Sequence, residues 1–192
     1  MRPNRFNKAK EKPLVKDEYA IVLDIVLNDS NSFKNDELAQ AIGVTTYSLL
    51  ELVPKEEVIL KNGQRVYIGD GKRDEIQFIR KSLKIEDLTG SARNELVYTL
   101  GDIIQEKEGQ FVQFFNLAGP ISLRKHSLEL VHGIGKKHLK DLLEERQVKP
   151  FESFEDISNR CSFLPKPQEA IAQRIIDELE GNDDFKFFTR RQ

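Results

Sequence analysis

The stretch LELVHGIGKKHLKDLLEER, residues 128–146, decides the fold of the C-terminal half. Two glycines one residue apart stand between two segments of helical pattern, and two lysines follow at once. One glycine suffices to end a helix, and an apolar residue gains nothing at an exposed tip. Gly133-Ile134-Gly135 therefore reads as a tight hairpin whose Ile134 turns inward while both glycines take backbone angles closed to other residues. The helix that follows presents unpaired N–H groups and the positive end of its macrodipole, which hold a phosphate without a special side chain. Lys136 and Lys137 add charge in its first turn, and Lys140 lies one turn on toward the side of Lys136. The implied contact is with a sugar-phosphate backbone, through Gly133, Ile134, Gly135, Lys136, Lys137 and Lys140. Such a contact positions a nucleic acid without reading its sequence.

The helical pattern extends on both sides. Residues 121–131 read as the helix before the hairpin and 135–146 as the helix after it. FESFEDISNRC (151–161) reads as a third helix capped by Ser153, and SFLPKP links it to a fourth, QEAIAQRIIDELEG (168–181). Helix, short loop, helix thus occurs twice, and the second unit, without the glycines, reads as a degenerate copy completing a four-helix core. Upstream, Leu96, Leu100, Ile103 and Ile104 recur at helical spacing behind a Ser91 cap, as a helix joining the two halves. Phe111, Phe114 and Phe115 read as interdomain core rather than a base-stacking platform.

The N-terminal half has a different period. YAIVLDIVL (19–27) reads as a strand ended by the polar cluster NDSNS, and NDELAQAI (35–42) as a short helix stopping at Gly43. TYSLLELVP (46–54) follows, then VILKNGQRVYIG (58–69), where Asn62-Gly63 between apolar runs marks a hairpin. GDGKRD (69–74) reads as another hairpin turn, and DEIQFIRKSL (74–83) as a strand or a short helix. Short strands with strong turns and no helix–strand alternation predict a small OB-like barrel. On it, Tyr47, Arg65, Tyr67, Lys72 and Arg73 are candidates for stacking bases and holding the phosphates of a single strand, although alternating strands expose such residues for no special purpose as well.

The expected chain is α+β: a flexible basic arm (1–17), an OB-like β-barrel (18–88), a connecting helix (89–118), an all-α tandem helix-hairpin-helix domain (119–181) and a tail (182–192). Its hydrophobic content of 39% with 32% charge is that of a globular protein. No apolar run approaches the roughly 18–20 residues that cross a bilayer, so a membrane partner is not expected. The start, MRPNRFNKAKEKP, lacks the apolar core of a secretory signal and implies a cytoplasmic location. Cys161, the one cysteine, sits on a helical pattern and reads as a buried, inert thiol. A net charge of −2 argues against a protein that coats nucleic acid, but Arg2, Arg5, Lys8, Lys10, Lys12 and Lys16 face only Glu11 in the first sixteen residues.

Catalytic and metal patterns are missing from the sequence. GDGKRD lacks the spacing of a phosphate-binding nucleotide loop, and neither a nucleophile elbow nor a metal-ligand pair occurs. His126, His132 and His138 recur six apart, a spacing that does not share one helix face, and no cysteine or carboxylate pattern completes a zinc set. No cofactor and no enzymatic activity are expected.

The hairpin resembles the helix-hairpin-helix motif of nucleic-acid-binding proteins on Val131, Gly133, Ile134, Gly135 and Leu139. His132 stands where proline is usual, and Leu139 is larger than the usual alanine. DNA glycosylases resemble this region too, but they need a catalytic Asp beyond the hairpin and usually a lysine or an iron-sulfur cluster. Asp156 stands at a helix start, where an acidic residue favours the dipole, and one cysteine holds no cluster. From Tyr19 to Phe188 the chain resembles DUF655, a family of archaeal proteins of unknown function, on YAIVLDIV, LLELVPK, RVYIG, FVQFFNLAGPIS, LELVHGIGKKHL and PFESFEDI in that order. The resemblance implies an OB-like barrel with a tandem helix-hairpin-helix domain of the RuvA domain 2-like kind. It also implies nucleic-acid binding, RNA favoured over DNA, in translation or ribosomal RNA maturation. A scaffold for ribosome or RNA polymerase assembly is the alternative, which Asp141, Glu144 and Glu145 keep open. Resemblance to other such motifs would allow a monovalent cation on the hairpin carbonyls.

Overall fold

A computed structural model describes residues 16–27, 37–181 and 184–189. Strand β1 (Tyr19–Leu27) carries the β-branched run, and it is flanked by β2 (Glu37–Gly43) and by β4 (Arg65–Tyr67). With β3 (Leu49–Pro54) and β5 (Ile76–Ser82) it forms an antiparallel sheet of order β4-β1-β2-β3-β5. Side chains alternate across it. Ile21, Leu23, Ile42 and Leu49 face a core shared with the helices, whereas Ala20, Val22, Ala39, Ala41, Leu50 and Leu52 form a second core with Val66, Ile68 and Ile76. Register shifts between Val22 and Asp24, Glu51 and Leu52, and Val53 and Pro54 bend the strands, and the sheet curls into a half-barrel.

Several expectations change here. The barrel is open, because β4 and β5 are its two edges and do not pair with each other among the described residues. Residues 69–74 are consequently a connection between the edges rather than a hairpin turn. The Asn62-Gly63 turn exists, but β4 pairs with β1 and no strand precedes the turn at 58–61. The short helix expected over 35–42 is strand β2 from Glu37 onward, and residues 35 and 36 lie outside the described residues. Its Ala, Gln and Glu favour a helix locally, but Ala39 and Ala41 are the small residues that the inner face of a tight curl accommodates. Between 74 and 83 the strand alternative holds. Of the expected arm, residues 1–15 lie outside the described residues, and Lys16 pairs with Asp70 at 3.2 Å.

Helix α1 (Gly90–Glu106) is capped by Thr89, not Ser91. The Thr89 hydroxyl accepts from the Ala92 N–H at 3.0 Å and donates to Asp24 at 2.5 Å, while Gln40 of β2 accepts from the Thr89 N–H at 2.9 Å. The helix thus starts where the sheet holds it. Instead of one connecting helix there are two, since the chain breaks at Lys107 and resumes as α2 (Glu108–Leu117). Lys107 donates to the Val44 carbonyl at 2.6 Å, tying the break to the sheet. Phe111 and Phe115 are fully buried, as their spacing predicts.

The helix expected over 121–131 does not form. Pro120–Ser122 (β6) and Lys125–His126 (β7) make a two-stranded hairpin, and Ser127–Leu130 is a single 3-10 turn. The buried apolar residues here are Leu128 and Val131, three apart, which one tight turn satisfies. Then come α3 (Lys136–Val148), α4 (Phe154–Arg160, capped by Ser153) and α5 (Pro167–Glu180). Arg146 of α3 donates to the carbonyls of Phe115 and Ala118 at 3.0 and 2.9 Å and so closes the C-terminal end of α2.

The C-terminal segment is held by a buried carboxylate. Glu178 is 0% exposed and accepts from the N–H groups of Phe187, Phe188 and Thr189, from the Thr189 hydroxyl and from Arg174. Phe188 then packs on Phe111 and Phe114 with ring centroids 5.4 and 5.0 Å apart. Glu178→Ala removes the carboxylate facing buried Arg174 and is expected to cost about 3–5 kcal/mol in urea unfolding and to expose residues 184–189 to protease.

Tyr47 is 1% exposed, and its hydroxyl has no hydrogen-bond partner among the described residues. Burial, then the Asp17 carboxylate, push its phenol from 10.0 up to about 12. The raised value favours the neutral form in the fold, so its stabilisation is complete below pH 10 and is lost as pH rises through about 12. Tyr47→Phe is expected to raise stability at neutral pH by about 1 kcal/mol and to flatten the loss above pH 10, as read by urea unfolding across that range.

Candidate nucleic-acid interface

Gly133 sits at φ +86°, the left-handed region, and its Cβ would meet only Leu164 at 3.7 Å, so the backbone and not space requires glycine. Gly135 differs from expectation. Its φ of −86° and ψ of 178° suit any residue, and it serves as the N-cap of α3 with open space around its Cα. Between them Ile134 is 3% exposed and joins the helical core, which pulls the loop inward. The Ile134 N–H donates to the Val131 carbonyl at 3.1 Å. Among the described residues no side chain caps the start of α3.

Lys136 and Lys137 are exposed, and neither forms an ion pair with a described residue. Lys140 is exposed too but lies 3.6 Å from Glu144. His138, in the first turn of α3, donates from its imidazole to the Gly133 carbonyl at 2.9 Å. Its ring lies flat on Phe163, centroids 4.4 Å apart and planes at 8°. From the sequence, His138 is a candidate only as a metal ligand, and Phe163 carries no signal of a site. No local pattern joins a first-turn histidine to a phenylalanine in the next connector.

The sheet candidates do not assemble. Tyr47 is core, which removes it as a stacking residue: its side chain lies in the core shared by the sheet and the helices, and its φ of 55° turns the chain there. Arg65 is bound at both guanidinium ends by Glu106 of α1, at 3.1 Å through Nη1. Tyr67 packs edge-on against Tyr19 at 5.3 Å and accepts from the Gly71 N–H at 3.1 Å. Arg73 donates to the Gly69 carbonyl at 3.0 Å, and Lys72 is exposed nearby. Tyr67 and Arg73 share a cleft of about 650 Å³ with Asp17, Glu18 and Asp70, so its charge is mixed.

Other candidates are committed elsewhere. Asp156 accepts from Arg160 at 3.2 Å and from the Glu152 N–H at 3.1 Å at the start of α4. Cys161 is 1% exposed, and burial pushes its thiol up to about 11. His126 accepts from the Leu128 N–H at 3.2 Å, and burial, then Arg146, hold it below the usual imidazole range. Among the described residues no three His, Cys, Asp or Glu side chains are placed to hold a metal ion. No described helix is long and apolar enough to cross a membrane.

These features define an α+β protein in which a curled antiparallel sheet and five helices share a core and a glycine turn opens the third helix. The chain belongs to the DUF655 family, described as protein of unknown function, whose model matches residues 16–190. It is 39% identical over 184 residues to an uncharacterized protein of Methanocaldococcus jannaschii, covering 96% of this chain and 83% of that one. It is also similar to the crystal structure of Af1531 from Archaeoglobus fulgidus, of the same family, with TM-score 0.81 and 39% identity over 91% of this chain and 100% of that one.

Gly133→Ala is expected to cost about 1–2 kcal/mol in urea unfolding, whereas Gly135→Ala costs less than about 1 kcal/mol. Gly133→Asn should recover part of the loss, because asparagine tolerates the left-handed region.

Proposed function

We propose that this protein binds nucleic acid, RNA in preference to DNA, by holding the sugar-phosphate backbone at the Gly133–Lys137 turn. The observation that carries the reading is the conjunction at the start of α3. Gly133 is at φ +86°, Ile134 is buried, no side chain caps the helix, and Lys136 and Lys137 are exposed without carboxylate partners among the described residues. Free N–H groups and unpaired ammonium groups at one helix end suit a phosphate. The turn at 127–130 with α3, and α4 with α5, are read as two helix-hairpin-helix units. The curled sheet is read as an opened OB-like unit, supported by the β1-β2-β3 meander with β4 set against β1. The division at residues 88 and 119 follows from that reading. The preference for RNA, and a role in translation or ribosomal RNA maturation, rest on family resemblance alone.

The alternative is a scaffold for protein assembly. It draws support from Leu117, Leu123 and Val148, which are 72%, 107% and 83% exposed at the ends of α2 and α3 and in the β6–β7 hairpin.

Binding of labelled single-stranded RNA, structured RNA and duplex DNA across a salt series tests the proposal. The wild type is expected to weaken as salt rises, and Lys136→Ala/Lys137→Ala to lower the slope of log K against log salt by roughly 1–2. Salt-independent binding, or none at low salt, would favour the scaffold.

A further inference from the structure

Beside the turn lies a cleft of about 390 Å³, within the range of small-ligand sites, roughly 300–1,000 Å³. Its walls come from both connectors of the helical half: His132 and Gly133 from the first, Phe163, Pro165 and Lys166 from the second, with Gln173 of α5 beneath. We infer that this cleft takes one unstacked nucleobase from a single strand whose phosphates lie on the neighbouring turn. The inference rests on the backbone contact proposed above and adds the class of nucleic acid.

Three features favour a base over other occupants. The aromatic wall is rigid, because Phe163 is held flat against His138 and His138 is itself bonded to the Gly133 carbonyl. A preformed π surface stacks any base with little ordering cost. Second, the cleft is electrically balanced: Lys166 is paired with Glu169 at 2.6 Å, so the site suits an uncharged planar group and not a second phosphate. Third, Gln173 is exposed and donates to Asp177 at 3.0 Å, which orients its amide and leaves its carbonyl and one N–H for the edge of a base. Gly133 and His132 belong to both the turn and the cleft, so a phosphate at the turn brings its own base to the opening. A duplex keeps its bases stacked and cannot fill the cleft without paying to extrude one.

The test compares a short single-stranded RNA, the same strand with its bases removed, and an RNA duplex. Phe163 packs on the core and His132 also borders the turn, so the variant is Gln173→Ala, at an exposed position that lines the cleft alone. The intact strand is expected to bind roughly five- to a hundredfold tighter than the abasic strand, and tighter than the duplex. Gln173→Ala should narrow that gap severalfold while leaving abasic binding unchanged, whereas Lys136→Ala/Lys137→Ala should weaken both strands. Equal, salt-dependent binding of intact and abasic strands, or a duplex bound as tightly as the intact strand, would overturn the cleft and leave the backbone contact standing. Failure of both strands to bind would overturn the two together.

Discussion

Helix α1 is the element on which both halves depend. Leu96, Leu100, Ile103 and Ile104 line its buried stripe, and that stripe belongs to one continuous core with Leu23, Ile42 and Leu49 of the sheet and Ile171 and Ile175 of α5. Each such side chain contributes on the order of 1.5–3 kcal/mol when removed from water. Hydrophobic burial has no direction, however, and a stripe alone does not set the angle of a helix. Direction comes from the polar contacts at its start, where Gln40, Asp24 and Thr89 tie the first turn of α1 to β1 and β2. Arg65 and Glu106 repeat the device at its other end.

From α1 the constraint passes outward in steps. Asn116 of α2 exchanges two hydrogen bonds with the backbone of Phe151, at 2.9 and 2.8 Å, and Glu108 accepts from the Phe154 N–H at 2.6 Å, so α2 sets where α4 begins. Arg146 carries α3 back onto the end of α2. The glycine turn is therefore a loop with both ends fixed, and burial of Ile134 leaves it little freedom except the backbone angle that Gly133 supplies. A net charge of −2 does not oppose a local phosphate contact, because screening limits a charge to roughly 8–10 Å at physiological salt.

Much of this was legible in the residues. Helices α3, α4 and α5 follow from apolar spacing with clear boundaries, including the Ser153 cap, and β1 and β3 from their β-branched and apolar runs. Strand β2 was not legible, because ELAQAIG has helical propensity and only the curl of the sheet explains its alanines. The segment 121–131 carries a helix-like composition too short of apolar residues to be held as one. Tyr47 stays hidden for a related reason: a tyrosine among polar residues looks like a surface group, and its burial depends on a core shared with helices that begin only at Gly90.

By itself the sequence determined the local periods, the caps and the glycine turn with its lysines, because these depend on neighbours a few residues away. Tertiary structure decided which groups remain available. It spent Arg65 on Glu106 and buried Tyr47, and it joined His138 to Phe163 across two connectors. The physical reason is that pairing and burial are settled by contacts between segments far apart in the chain, which no local pattern encodes.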